Sequence, residues 1–348
     1  MDLIRVLFIS DTHLGFDLPR RPRVERRRRG PDFFENFERA LEPARRGEVD
    51  LVIHGGDILF RSRVPAELVA RAFEPLKRVA DTGVPVYVVP GNHERSRIPY
   101  ALLAQHENLF LFDRPKTYVW RSQGFTLALA GFPYERRVRK RFPVVVEQTG
   151  WRNVDADAKL LLIHHAVEGA RVGRLGTGDY RFTNAADVVR TADIPQGFTA
   201  VLSGHIHRAQ VLTKDLGGRP LPAPVLYPGS VERTSFAEKD ERKGYLTFAL
   251  ERSGALRGWR FHELPTRPMV MIELGPRELA RDNLKVRLRR RLDTLPADAV
   301  VQLKVDGAVP KLLGAASLRA LAPASMNVNV SVTPVGRRRR PSSRTERF

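Results

Sequence analysis

From Leu3 to about residue 200, short apolar runs alternate with stretches of helical spacing, the pattern of repeated βα units. Leu3 to Ile9, Leu51 to Ile53, Val86 to Val89 and Leu160 to Ile163 read as strands, and their near-continuous apolar character suits a sheet covered on both faces. Between them, Phe33, Phe34, Phe37, Ala40 and Leu41, then Leu68, Val69, Ala72, Phe73, Leu76 and Val79, recur at the period of a helix. From Thr199 to His262 the pattern turns to strands and turns, with Ala200 to Leu202, Val225 to Tyr227 and Tyr245 to Leu250 as the apolar runs. This predicts a second sheet packed on the first with helices outside. The fold class is therefore α/β, a four-layered α/β/β/α sandwich. The segment Leu264-Pro265-Thr266-Arg267-Pro268 marks a boundary, so residues 1–264 form the main domain and 269–335 a small α/β cap. In the cap the pattern predicts a strand over Met269 to Leu274, a helix over Glu278 to Leu292 with Leu284, Leu288 and Leu292 as its stripe, and a strand over Val300 to Val305. A short helix and a last strand, Met326 to Thr333, follow, and residues 336–348 read as a basic disordered tail.

Five polar islands interrupt this scheme, each after an apolar run: Ser10-Asp11-Thr12-His13, Gly55-Gly56-Asp57, Gly91-Asn92-His93-Glu94, His164-His165 and Gly204-His205-Ile206-His207. Asp, Asn and His offer the oxygen and nitrogen donors that borderline divalent metals accept. They also fall at the carboxyl ends of predicted strands, where open α/β sheets place their ligand crevice. Asp-x-His alone is weak, whereas all five islands in order are specific. His165 competes with its neighbour His164 as a donor, while His54, His106 and His262 read as ordinary satisfied or surface histidines. No phosphate-binding Gly-x-x-x-x-Gly-Lys-Ser/Thr loop, nucleophile elbow or dinucleotide fingerprint is present.

Composition adds constraints of its own. With 348 residues and 42% hydrophobic content the chain can bury a sizeable core. It has no cysteine, which excludes disulfides, thiolate-bound zinc and a cysteine nucleophile. Its start does not read as a signal peptide, and no apolar stretch approaches the roughly 20 residues that span a bilayer. A soluble, cytoplasmic protein with no membrane partner is expected. The net charge of +20 is unevenly placed: Arg20 to Arg29 carries +6 and Arg337 to Phe348 carries +5. Such local arginine blocks are what a polyanion requires, because each phosphate contact releases counterions.

At the five islands the chain resembles the calcineurin-like metallophosphoesterase superfamily. The resemblance implies that Asp11, His13 and His207 bind one metal, that Asn92, His164 and His205 bind a second, and that Asp57 bridges both. His93 is then the catalytic histidine, contacting the phosphate and protonating the leaving oxygen, work that suits a group titrating near neutral pH. Two cations about 3.5–4 Å apart can activate a bridging hydroxide and stabilise both the attacking and the leaving oxygen of a phosphodiester. The resemblance sharpens to SbcD-type DNA repair nucleases at Ser10 to Gly15, at Gly56-Asp57-Ile58-Leu59-Phe60, and at Tyr227-Pro228-Gly229-Ser230-Val231-Glu232-Arg233 with Phe236. It covers the chain to about residue 335 and implies a manganese-dependent DNA exonuclease of repair, with iron, cobalt or zinc also compatible with the donors. It further implies homodimers and an ATPase partner of the SMC type, although residues 335–348 leave little room for partner-docking helices.

Arg20, Arg21, Arg23, Arg26, Arg27, Arg28 and Arg29, which follow the first island closely, and Arg61 are the expected substrate-binding residues. The chain departs from that branch at Arg61, where His or Asp is usual, and at Glu94, where Asp is usual. Two other readings compete: a phosphatase or nucleotide pyrophosphatase acting on a smaller ester, and a DNA-binding regulatory protein with a vestigial site.

Overall fold

A computed structural model describes residues 3–18, 26–94, 106–174, 178–306, 309–310 and 313–333. They divide into two compact units, one of residues 3–18 and 29–266, the other of residues 26–28 and 267 onwards.

The strands of the first unit begin with β1 (Ile4–Ile9), β2 (Leu51–His54), β3 (Val86–Val88) and β4 (Leu109–Leu111), continue through β5 (Lys116–Ser122), β6 (Phe125–Gly131) and β7 (Ala158–Ile163), and then run through four short strands, β8 (Ala166–Val167), β9 (Arg171–Arg174), β10 (Gly178–Arg181) and β11 (Val188–Val189). They end with β12 (Ala200–Ser203), β13 (Gln210–Lys214), β14 (Pro220–Tyr227), β15 (Gly244–Leu250) and β16 (Leu256–Glu263). Helices α1 (Gly30–Arg45), α2 (Ala66–Asp81) and α3 (Val138–Gln148) lie between them in the chain. One six-stranded sheet has the order β16-β15-β1-β2-β3-β4 and the other β13-β14-β12-β7-β6-β5. Strands β1 to β4 are mutually parallel, as are β6, β7, β12 and β14, while β15, β16, β13 and β5 run antiparallel to their neighbours.

The alternation of side chains along each strand builds the layers. In β1, Val6 and Phe8 join Leu129, Leu160, Leu162 and Leu202 in the core between the sheets. Leu7 and Ile9 point the other way, into Phe33, Phe37, Phe73 and Leu76 of α1 and α2. In β7, Leu161 and Ile163 meet Phe142, Val145 and Val146 of α3. Three cores separated by two sheets make the α/β/β/α sandwich.

Strand membership differs from the sequence reading in one respect. β7 lies in the second sheet, and β15 pairs with β1 in the first, from Ile4 opposite Leu250 to Phe8 opposite Leu246. Strands buried on both faces read alike, so apolar periodicity reveals a strand but not its partner.

The second unit contains β17 (Met269–Leu274), α4 (Pro276–Leu279), α5 (Leu284–Asp293), β18 (Val300–Asp306), α6 (Ala315–Leu321) and β19 (Asn327–Thr333), its three strands parallel in that order. Leu284, Leu288 and Leu292 pack with Ile272, Leu303 and Val305. The single helix expected from Glu278 is two helices, because Asn283 sits at φ 59, left-handed, and interrupts the hydrogen-bond ladder. Residues 26–28 belong to this unit: Arg27 N–H donates to the Ala324 carbonyl at 3.2 Å, and Asn327 Nδ2 donates to the Arg27 carbonyl at 3.2 Å. The expected tail, 336–348, lies outside the described residues. Among the described residues no helix is long and apolar enough to cross a membrane.

Candidate metal centre

The five islands leave the carboxyl ends of β1, β2, β3, β7 and β12. Past the strand ends the first two loops stay paired, with Asp11 N–H donating to the Gly56 carbonyl at 2.9 Å and His13 N–H to the Asp57 carbonyl at 3.0 Å. Asp11 (φ 52), His13 (φ 44), Asp57 (φ 52) and His205 (φ 77) all adopt the left-handed conformation. Each such residue costs on the order of 1–3 kcal/mol and persists only where its surroundings over-determine it. Half of the eight non-glycine residues with this conformation among the described residues are expected ligands, so the strain is concentrated at this site.

Two glycines permit the close approach. A Cβ on Gly91 would lie 2.1 Å from Asp57 Oδ1, and one on Gly204 would lie 2.2 Å from Ser10 Oγ and 2.3 Å from the Gly55 carbonyl.

Two donor clusters result. In the first, His13 Nε2 and His207 Nε2 approach to 2.8 Å, each 3.9 Å from Asp11 Oδ1. In the second, Asn92 Oδ1 lies 3.1 Å from His164 Nε2 and 3.0 Å from His205 Nδ1. Asp57 Oδ2 is 3.4 Å from His164 Nε2 and 3.7 Å from His93 Nε2. Asp57 shares one grouping with His13 and His93 and another with Asp11 and His164, in each of which one donor atom per residue lies within 4.8 Å of the others. His164 Nδ1 faces the Gly55 carbonyl at 2.6 Å and therefore carries the proton, which turns the Nε2 lone pair into the site. Buried carboxylates and imidazoles with lone pairs converging in this way fit divalent cations.

Burial dominates the electrostatics. It pushes His13 well below the ordinary imidazole range, with His207 adding to the effect, and takes His205 down to about 3. At His164 burial also opposes the charged ring, but adjacent Asp57 prevails and lifts the pKa to about 9. Asp57 answers in kind: burial opposes its charge, yet His164 holds it well below the usual carboxylate range. Asp11 is raised, chiefly by burial.

His93 stands at the rim of the site, its side chain 30% exposed. Its Nδ1 faces the Phe60 carbonyl at 2.5 Å, and its backbone N–H donates to Asp57 Oδ1 at 2.9 Å. His165 turns away, Nε2 against the Glu135 backbone at 3.0 Å and its ring stacked on Tyr134 at 4.9 Å. His54, His106 and His262 are engaged with Thr12, Asp81 and Thr247 respectively.

The arginines divide. Arg20, Arg21 and Arg23 lie outside the described residues. Arg26 donates to the Met326 carbonyl at 2.8 Å, and Arg27 lies 3.8 Å from Asp298, both within the second unit. Arg28 belongs to the same short segment. Arg29 requires a correction: it is buried, with its guanidinium on the Arg233 carbonyl and 3.4 Å from Glu232, so it holds the fold rather than a substrate. Arg61 is exposed beside the site, 5.5 Å from the Phe60 ring centroid.

Two functional residues escaped sequence reasoning. Glu94, noted only as a departure, is fully enclosed and accepts the backbone N–H groups of Asp57, Leu59 and Gly91, each at 2.8 Å. Those donors favour its carboxylate, against burial and Asp57, which push the pKa up to about 8. Glu238 backs His207, its Oε1 3.2 Å from Nδ1. Nothing in periodicity marks either residue.

This fold, with carboxylates and imidazoles gathered at the ends of parallel strands, is that of the calcineurin-like phosphoesterases: the family's profile matches residues 4–209, and the chain belongs to that family. Its SbcD-type branch fits best, since the chain is similar to archaeal proteins named DNA double-strand break repair protein Mre11. It is 30% identical to the one from Haloferax volcanii over 310 residues, 88% of this chain and 62% of that protein. For Saccharolobus solfataricus the figures are 24% over 301 residues, covering 82% and 70%. For Methanopyrus kandleri they are 26% over 306 residues, covering 82% and 63%. The chain thus spans about two thirds of the length of these curated relatives.

Proposed function

We propose that the chain is a two-metal phosphodiesterase that hydrolyses DNA, a manganese-dependent repair exonuclease. The observation that carries this reading is the convergence of two histidine clusters on one buried carboxylate, Asp57. Asp11, His13 and His207 would hold one ion, Asn92, His164 and His205 the other, and Asp57 would lie between them. When bound, such a pair supplies an activated water and offsets charge on the attacking and leaving oxygens.

The chain's own contribution is orientation and proton delivery. His164 presents Nε2 because its Nδ1 proton is held by the Gly55 carbonyl at 2.6 Å. His93, anchored through Nδ1 on the Phe60 carbonyl, turns Nε2 toward the site, from where its imidazolium form can give a proton to the departing oxygen. Glu94 ties the second loop to the third and so keeps Asp57 and His93 in register. DNA as substrate is supported by the net charge of +20 and by the similarity to DNA double-strand break repair proteins. Arg61 beside the site and the segment Arg20 to Arg28 are the proposed phosphate contacts. A homodimer and an SMC-type ATPase partner belong to the same reading.

The test is manganese-dependent degradation of end-labelled single- and double-stranded DNA, with a small aryl phosphodiester alongside. Nucleotide release by wild type is expected, abolished in Asp57→Ala. In His93→Gln it should fall about 10²–10⁴-fold with manganese binding intact. Hydrolysis of the aryl diester without DNA cleavage would move the substrate to a smaller phosphoester.

A further inference from the structure

The first cluster is gripped from behind by a charged assembly that no ligand requirement explains. A single 3-10 turn, Phe236–Glu238, presents Glu238 to His207. Glu238 Oε1 faces His207 Nδ1 at 3.2 Å and accepts the hydroxyls of Thr234 at 2.7 Å and Ser235 at 3.2 Å. Its other oxygen lies 2.7 Å from Nζ of Lys243. Lys243 is wholly buried, and its ammonium also reaches Glu241 Oε2 at 3.0 Å and the His207 backbone carbonyl at 2.8 Å. Three partners use the three donors of the ammonium.

Enclosing such a charge costs several kcal/mol before pairing, and well-packed apolar groups would often hold a fold equally well. What the assembly achieves is grip on both ends of one residue: Lys243 fixes the His207 backbone, and Glu238 fixes its ring. A carboxylate accepting from Nδ1–H selects the tautomer whose Nε2 lone pair faces His13 Nε2, 2.8 Å away.

We propose that Glu238, locked in place by Lys243 and Thr234, is a positioning residue that sets the affinity of the metal site formed by Asp11, His13 and His207, and leaves the site formed by Asn92, His164 and His205 unaffected. The inference rests on the two-metal reading above. It makes the two sites unequal by construction, with one imidazole held by a carboxylate and the other, His164, held by a neutral carbonyl.

Calorimetric titration of the full chain with Mn²⁺ alone tests it, using wild type, Glu238→Gln and Thr234→Val, with thermal unfolding of each apoprotein as the control for folding. Wild type should bind two ions. Glu238→Gln should weaken one of them about 10–100-fold, the usual cost of losing such an outer partner, and leave the other unchanged. Thr234→Val keeps every charge in place and so guards against misfolding of the first variant; it should weaken the same ion by a smaller factor. Unchanged affinities in both variants would overturn the inference, and so would equal weakening of both ions, the mark of a merely structural role. A wild type that binds fewer than two ions would sink the two-metal reading itself, and this inference with it.

Discussion

His54 ends β2 with both ring nitrogens engaged: Nδ1 accepts the Gly56 N–H at 3.1 Å, and Nε2 lies 3.2 Å from Thr12 Oγ1, whose hydroxyl donates to the Ile58 carbonyl. Only the neutral ring satisfies this geometry, and burial lowers its pKa from 6.5 to about 3. Below pH 6.5 the unfolded chain takes up a proton that the folded chain refuses until about pH 3. The stability is therefore complete above pH 6.5 and is lost by about 1.4 kcal/mol per pH unit as the pH falls toward 3. From pH 7 to pH 5 the loss from this residue should be about 2 kcal/mol. Urea unfolding at both values should show a shallower pH dependence in His54→Gln by that amount, and parallel curves would contradict it. At this scale the candidate ligands are legible, because each sits in a motif at a strand end. Glu238 is not, since it meets His207 across 31 residues through a contact that only the tertiary fold creates.

The ends of β1, β2 and β12 meet so closely that their loops tolerate no added volume. A methyl group on Gly204 would stand 2.2 Å from Ser10 Oγ, 2.3 Å from the Gly55 carbonyl and 2.7 Å from His164 Nδ1. Backbone cannot yield as a flexible side chain can, so Gly204→Ala should destabilise the fold by about 1–3 kcal/mol. It should also weaken manganese binding by displacing His164 and His205 together. A variant with wild-type melting temperature and metal affinity would show that the loops have slack. Elements of this kind were readable from apolar runs, yet their neighbours were not. β7 and β15 exchanged sheets relative to the sequence reading, and Asn283 split a cap helix whose leucine stripe, Leu284 to Leu292, runs only through its second half. Antiparallel β5 and β6, and α3 with its left-handed start at Arg137, carry no signal strong enough to separate them from loops.

Across the molecule, the sandwich and the candidate site are legible together, because the strand ends that build one position the other. The arginine block is legible only as charge. Arg29 is drawn into the first unit by Glu232, and Arg26 and Arg27 into the second by Met326 and Asp298, contacts set by partners some 200 to 300 residues away. A run of like residues can therefore be divided between folding and binding in ways that composition does not reveal. We propose that two cations share Asp57 between two histidine clusters. Anomalous diffraction from a crystal soaked in Mn²⁺ tests it most directly. Two peaks are predicted, one among Asp11, His13 and His207, the other among Asn92, His164 and His205, both against the Asp57 carboxylate. A single peak, or manganese bound away from Asp57, would rule out a shared two-metal centre.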